Sequence, residues 1–476
     1  MLLTPTLFGD FAILCVLAMI GAHAALLHAQ RRWFLFDPLN MFWAGCLVVY
    51  VLQPIQYGDV FIGWYSSEIF DQTLLWIVCA AAAVIVGYES GLGRSAGRGL
   101  PSLPERLCPA RTAFAAMALL AAGLLGYSQL IASAGSLGAW LSVARGGTDW
   151  QAVSGYVAVL ADLLPIGVLV LLFHAELHRP ALFRRCAFWV LGALLLLWFI
   201  YLGSRSRTIA TLLLLLMAWY LPRRRNPPVV VCAATFLGLL LLVNFQAQYR
   251  ENFTDLSFNY VDLDAGNVWQ KIAPSWLGGD AAQQIESVDP GIDFSVTMAV
   301  VDLVPERVNY NYGYALLEFL TRPIPRASWA EKRYPYYEAV TPIMQAAGLS
   351  NHWVTYGAVP VLTGPALTFV GHWYAVGGPL ALLIAGLATG VFFRVLRTLL
   401  DRQPRSEGGI IFYSTLPMLG FLEAATPMFW IFTYPFLWAA LLVILQFAGR
   451  RSRSSFNGRL PDRERRSGAI KSPEVV

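Results

Sequence analysis

Charge is what this sequence has least of. Only 13% of its 476 residues are Asp, Glu, Lys or Arg, where a soluble domain carries roughly a quarter. Hydrophobic residues make up 57%, and mean hydropathy is +0.56. That balance excludes a water-soluble core protein and points to a polytopic membrane protein. Cysteine is also sparse. Cys15, Cys46, Cys79, Cys108, Cys186 and Cys232 all lie in apolar runs or basic connectors. None stands in CxxC or another metal-ligand spacing, so the thiols read as structural and no metal site is expected. No GxxxxGK[ST] phosphate loop is present. The net charge of +5 comes with no nucleic-acid-binding module, which removes nucleic acid as a partner. No cofactor is expected. Met1 opens directly on an apolar span, with no basic segment before it and no A-x-A-like site after it, so no cleaved signal peptide is expected.

Long apolar runs dominate what is there. Runs of roughly 17–24 residues fit membrane spans, and they fall at 7–28, 39–57, 72–90, 112–134, 152–174, 186–202, 207–222, 229–248, 377–397, 409–425 and 428–448. The expected fold is therefore an all-α polytopic integral membrane protein with about 11 transmembrane helices and one large periplasmic loop. Pro165, Pro417 and Pro435 lie within these runs and predict kinks. Four regions follow: a membrane region at 1–248, a loop at 249–376, three spans at 377–448 and a basic tail at 449–476. The tail is Ser- and Arg-rich, a composition that predicts disorder.

Alternate connectors hold 24 of the 34 Lys and Arg residues. They include Arg31 and Arg32, Arg94 and Arg98, Arg184 and Arg185, Arg223 to Arg225, Arg402 and Arg405, and the tail. The positive-inside rule then puts the N-terminus and the long loop in the periplasm and the C-terminus in the cytoplasm of a bacterial inner membrane.

The stretch from Tyr249 to Tyr356 is the polar exception. It has 13 acidic residues against 7 Lys and Arg, is rich in Tyr and Trp, and contains no cysteine. No part of it is long and apolar enough to span a bilayer. A structureless loop of that length is uncommon without a function, so this is the part expected to meet substrate. A helix is predicted over Glu338 to Leu349, and a capping box at Ser328 and Glu331 predicts a turn that Pro335 cuts short. Residues Gly357 to Gly378 are half apolar and broken by Pro and Gly. They read as re-entrant or interfacial, with His352, Trp353, His372 and Trp373 near the headgroups.

The sharpest local signal is Gly203-Ser-Arg-Ser-Arg207, a turn between two short apolar runs on the outer side. Arg205 and Arg207 run against the positive-inside bias there, and charge near hydrocarbon is a functional suspect. A guanidinium fork fits phosphate oxygens. The alternative is that both arginines snorkel to headgroups. Arg250, Arg322, Arg326, Lys332 and Arg333 could join Arg205 in an outward anion site, or pair with the loop's own carboxylates. Base candidates for an acceptor hydroxyl are Glu338, His352, Asp302 and Glu306. The lone Asp262-Leu-Asp264 reads as a loop turn rather than a metal site. Asp162, near the middle of the fifth run, pairs internally, is protonated, or lines a cavity. Glu423 lies beside the last outer turn.

The Gly-Ser-Arg-Ser turn, the outer loop with Asn311-Tyr-Gly-Tyr314, and Ile324-Pro-Arg326 followed by Trp329 and Lys332 resemble the Wzy-type O-antigen and oligosaccharide repeat-unit polymerases. The resemblance covers roughly residues 186–400. It implies a glycosyltransferase that moves a glycan from undecaprenyl diphosphate to another lipid-linked repeat unit on the periplasmic face. By motif position it carries anion handling to Arg205 and Arg326, with Arg250 a weaker match. Tyr314, Arg207, Arg322 and Lys332 become substrate-binding candidates, and Glu338 and His352 catalytic ones. The segment Asn351-His-Trp-Val-Thr-Tyr-Gly357 matches no pattern of that family, so His352 rests on its chemistry alone. Expected partners are the lipid-linked oligosaccharide, the bilayer and a chain-length regulator. An O-antigen ligase shares the architecture and donor. A flippase or exporter would explain the spans and Asp162 but not a large loop on one face. A non-catalytic assembly subunit would lack an anionic-substrate site at the outer surface.

Overall fold

The computed structural model describes residues 4–30, 33–133, 135–137, 140, 160–178, 181–201, 205–223, 225–235, 237–238, 293–312, 329, 335–349, 352–356, 359–363, 367–403, 406–415 and 435–449. Everything below concerns these residues. They are predominantly helical, and five helices among them are long and apolar enough to cross a membrane: Leu7–Ala29 (α1), Pro38–Trp64 (α2), Ser67–Glu89 (α3), Pro109–Ala132 within Pro109–Ser133 (α5), and Phe369–Arg402 (α11). Shorter apolar helices are Leu163–His178 (α6), Ala181–Tyr201 (α7), Arg205–Tyr220 (α8) and Pro435–Ala448 (α13). Gly91–Gly99 (α4), Asp293–Leu303 (α9), Pro335–Ala346 (α10) and Glu407–Ser414 (α12) complete the labelled helices. A two-stranded antiparallel hairpin, His352–Tyr356 (β1) with Val359–Thr363 (β2), is the one departure from all-α. The architecture is consistent with a multi-pass membrane protein, with the bilayer as its environment.

Local chemistry explains where the helices begin. Thr6, Asp37, Ser66, Thr368 and Ser406 each accept an N–H of the first turn on a side-chain oxygen, filling acceptors the helix itself cannot supply. Pro38 stands at a first helical position, where a missing N–H costs nothing; the residues before Pro435, and Pro417, lie outside the described residues. Pro165, expected to kink a span, lies just after a one-residue break at Asp162 that separates α6 from the helical residues Leu160 and Ala161. The helix predicted over Glu338 to Leu349 is present as α10. It ends where Gly348 turns left-handed (φ 64°) and the Leu349 N–H returns to the Met344 carbonyl.

Two large apolar clusters share α11, and a smaller one around α9 and α10 takes in its Tyr374 and Ala375. One large cluster gathers Phe42 and Phe61 of α2, Phe70 of α3, Phe294 of α9 and Phe369 of α11, with Ile13 and Val16 of α1. The other joins α5 to α8 with α12 and α13, and takes in Leu396 and Leu399 of α11. The crossing of α3 and α11 is backbone on backbone. A Cβ on Gly87 would lie 2.1 Å from the Leu387 carbonyl oxygen, and one on Gly390 would lie 2.0 Å from that of Val84. The seam continues onto α4, where Gly93 meets Arg394 and Gly97 meets Thr398. Gly386-Leu-Ala-Thr-Gly390 is thus a small-xxx-small contact, the kind that lets apolar helices associate without a hydrophobic drive.

The polar stretch is not wholly outside this bundle. Helix α9 is buried against α2, α3 and α11, with its Phe294 N–H on Gln53 Oε1 at 2.9 Å and Thr297 Oγ1 2.6 Å from Thr368 Oγ1. Eleven residues are too short to span, and apolarity alone could not show that this segment inserts beside longer helices. The end of the loop also differs from expectation. In place of one re-entrant segment, residues 359–363 form β2 and α11 starts at Phe369, eight residues before the predicted span. His372 is buried within this longer helix, with its ring 5.2 Å from that of Trp373.

Gly377-Gly378-Pro379 kinks α11 without ending it. Pro379 has no N–H, so the Ala375 carbonyl four residues back loses its helical donor. The Asn311 N–H replaces it at 2.9 Å, and the Tyr312 N–H takes the Val376 carbonyl at 3.0 Å. Gly378 is left-handed (φ 66°), and a Cβ there would lie 2.7 Å from the Tyr310 hydroxyl oxygen.

The described parts of the basic connectors meet at one end of the bundle. Leu103 N–H donates to Gln403 Oε1 and Leu107 N–H to Glu407 Oε2, while Arg402 donates to the Gly97 and Leu100 carbonyls. Asp37, which caps α2, accepts the Tyr88 hydroxyl at 2.6 Å and lies 3.6 Å from Arg397. Burial raises the Asp37 carboxyl above its usual range. Arg397 opposes that rise, as do hydrogen bonds from Tyr88 and the Leu39 N–H.

Gly390→Leu should therefore destabilise the protein by at least the ~1–3 kcal/mol typical of overpacking, read as a lower unfolding temperature in detergent. Gly21→Leu, whose Cβ meets nothing within 4 Å, should not. Equal unfolding temperatures for the two variants would refute the close crossing.

Candidate functional site

Of the motif singled out in the sequence, Gly203 and Ser204 lie outside the described residues, while Arg205 is the first described residue of α8 and Arg207 follows two residues later. Arg207 has an anionic partner. Its Nη2 lies 3.1 Å from Asp162 Oδ1, with side chains 33% and 12% exposed respectively.

Small residues bring that carboxylate into place. A Cβ on Gly126 would come within 2.5 Å of the Ala161 nitrogen, and one on Gly123 within 2.6 Å of the Leu164 nitrogen. Helices α5 and α6 thus touch along their backbones on either side of Asp162. Across the pair, α7 and α8 pack through Gly192 against Leu215. Asp162 is a one-residue break between the helical residues Leu160 and Ala161 and the start of α6. Residues 151–159 lie outside the described residues.

Three aromatic rings adjoin the pair. Tyr127 of α5 meets Trp140 edge-on at 5.8 Å and Trp198 of α7 edge-on at 5.3 Å, and the two indoles stack at 6.3 Å. Asp162 and Arg207 both act electrostatically on the Tyr127 hydroxyl. That hydroxyl is buried close to the Trp198 indole, yet neither it nor Trp198 Nε1 makes a hydrogen bond of proper geometry among the described residues. Sequence reasoning missed this trio. Nothing local in the sequence marks it, since Tyr127 and Trp198 lie inside apolar runs and Trp140 lies between two of them.

Chemically, the arrangement joins a fixed guanidinium, a carboxylate that orients it, and aromatic faces with polar tips. A fork held this way meets anionic oxygens, and the aromatic rings have the amphipathic character that suits sugar faces. The site lies at the end of the bundle opposite the basic connectors, since α8 runs from it toward Asn226, whose Oδ1 accepts the Leu35 N–H.

Other expected site residues are not gathered here. Glu338 lies in α10 and His352 opens β1, in register with Thr363. Asp302 and Glu306 sit at and just beyond the end of α9, half-buried and exposed respectively. Arg250, Tyr314, Arg322, Arg326, Lys332 and Arg333 lie outside the described residues, as do Asp262, Asp264 and Glu423. Within the Asn311-Tyr-Gly-Tyr314 motif, Asn311 and Tyr312 serve the kink of α11. Among the described residues no group of three or more His, Cys, Asp and Glu could hold a metal ion, and the described cysteines are free thiols.

No family model, curated protein or solved structure matches this chain.

The Arg207–Asp162 pair generates a direct test. In a double-mutant cycle of Asp162→Asn, Arg207→Gln and both together, the coupling in unfolding free energy should be about 1 kcal/mol. That is the upper part of the range for partly exposed pairs. Additive single effects would show that the pair contributes nothing.

Proposed function

We propose that the protein is a membrane glycosyltransferase that polymerises undecaprenyl-diphosphate-linked oligosaccharide repeat units. In this reading it sits in a bacterial inner membrane with about eleven spans, its N-terminus and long loop periplasmic and its C-terminus cytoplasmic. The observation that carries the proposal is the pair of arginines leading the described part of α8, with Arg207 held by Asp162 beside Tyr127. It supports a diphosphate site because a cation oriented at the outer helix ends meets charge where a lipid diphosphate would present it.

In the transfer, an acceptor hydroxyl attacks the anomeric carbon of the donor, whose bond to the diphosphate breaks. The hydroxyl proton passes to a base, for which Glu338 and His352 are the candidates. The electron pair of the broken bond leaves on undecaprenyl diphosphate, and fixed guanidinium groups stabilise the developing charge. Arg205 and Arg326 are assigned that role. Arg207, Arg250, Arg322, Lys332 and Tyr314 are assigned to holding substrate. Sugar faces would pack on the loop aromatics, and a chain-length regulator would act as partner.

The test is a polymer ladder from cells carrying Arg205→Ala, Arg205→Lys, Arg326→Ala or Arg326→Lys, normalised to membrane protein. Each Ala variant should insert normally yet display mostly single-unit product. The loss is about a hundredfold in rate, or ~3 kcal/mol, for one such donor. Lys should rescue only in part because it lacks the planar fork. Wild-type ladders from both Ala variants would overturn the assignment. Chains left on the lipid carrier in a strain lacking the protein would indicate a ligase instead.

Orientation has its own measurement. Reporters fused after Arg225 and Gly449 should read cytoplasmic and one at Asp280 periplasmic. A cytoplasmic reading at Asp280 would separate the loop from its substrate.

A further inference from the structure

The Tyr127 hydroxyl is a buried donor with nothing to donate to. The residue is only 3% exposed, and its hydroxyl oxygen is buried without a hydrogen bond. Trp198 Nε1 is buried and makes none either. Turning one tip toward the other would not cure this. An indole N–H can only donate, so the two groups hold two hydrogens and one acceptor oxygen between them. The phenol hydrogen needs an oxygen from elsewhere. A buried donor left unpaired is costly, and folded proteins keep few of them.

The surroundings indicate which oxygen. Arg207 and Asp162 both act electrostatically on the Tyr127 hydroxyl. The Asp162 carboxylate engages the guanidinium and receives no hydrogen bond from the phenol. A guanidinium, a phenol O–H and an indole N–H therefore stand together as donors. A phosphoryl oxygen brings lone pairs alone and suits such a set, whereas a sugar hydroxyl adds a further hydrogen to be placed. The phenol is also held in position. Tyr127 follows Gly126, whose Cβ would stand 2.5 Å from the Ala161 nitrogen, so the ring is anchored one residue from the backbone contact beside Asp162. Its edges meet Trp140 and Trp198, which stack on one another. A donor fixed before the ligand arrives is the kind that best stabilises developing charge.

We propose that the Tyr127 hydroxyl is a neutral donor to the diphosphate of the lipid-linked substrate, meeting a phosphoryl oxygen beside Arg207. The inference rests on the diphosphate reading of this site and adds to it a contact made by α5. No proton is transferred, since the phenol only donates a hydrogen bond. The tip is closed to water in the empty protein, so the contact forms as the substrate enters, and the unpaired donor gains its acceptor on binding.

The test uses the full-length protein in nanodiscs of a phosphate-free galactolipid. Undecaprenyl diphosphate and, separately, undecaprenol are titrated in, and the rise in unfolding temperature gives half-saturation. The wild type should respond to the diphosphate and not to the alcohol. Tyr127→Phe removes one hydroxyl and keeps the ring. Without ligand it should unfold no lower than the wild type, because the lost group had no partner. Its half-saturation for undecaprenyl diphosphate should rise about tenfold, the scale of one hydrogen bond to a charged group. A less stable ligand-free Tyr127→Phe would show that the hydroxyl serves the fold, and unchanged half-saturation would show that it does not meet substrate. Either result overturns the assignment of Tyr127 and leaves the diphosphate site standing. A wild type that binds neither compound, or binds both equally, removes the diphosphate reading and this inference with it.

Discussion

The crossing of α3 and α11 is the constraint on which the rest of the bundle depends. Two helices in an apolar surrounding gain little by hiding apolar side chains from lipid, so close packing has to hold them. Gly87 and Gly390 let the backbones meet with no side chain between them. That contact fixes α11, and α11 carries Phe393 into one apolar cluster and Leu396 and Leu399 into the other. The two halves of the bundle are thus referenced to one helix. The same seam brings α4 against Arg394 and Thr398, which is why buried charge collects at its lower end.

The kink in α11 gives the polar stretch a structural role that composition did not suggest. Proline removes a donor, and the carbonyls left behind must be satisfied where water is scarce. Asn311 and Tyr312 supply their N–H groups from the loop. Helix α9 enters nearby and ties the same stretch to Gln53 of α2 and Thr368 at the start of α11. Loop and bundle are therefore one packed unit at this point, and substrate contacts made by the loop would be transmitted to α11 through hydrogen bonds.

Much of the fold was legible in the sequence because hydrophobic run length is a direct consequence of bilayer thickness. The runs at 7–28 and 39–57 correspond to α1 and α2, and the loop helix expected near Glu338 is α10. What escaped reading depends on partners distant in sequence. Nothing local marks Asp293–Leu303 as buried, since eleven moderately apolar residues suit a surface turn equally well. The burial of His372 escaped as well, since it is set by where α11 begins. Of the candidate site, the sequence disclosed Arg205, Arg207 and Asp162 as charges near apolar runs. It could not disclose that Asp162 and Arg207 are partners, because they belong to different elements that meet only in the folded bundle. Tyr127 and Trp198 were invisible for the same reason.

The two ends of the bundle hold arginine in different ways, and the contrast is physical. At the connector end, Arg402 of α11 reaches the Gly97 and Leu100 carbonyls at the C-terminal end of α4, where the helix dipole welcomes a cation. At the other end, Arg205 and Arg207 lead the described part of α8. Two arginines so close in the chain gain from any anion that approaches them, and Asp162 accounts for one pairing at 3.1 Å. A carboxylate on a neighbouring helix can hold a guanidinium steady without covering it, as the one-third exposure of Arg207 shows. The fork is then oriented before an anionic group arrives, which is the condition under which fixed charge is worth most.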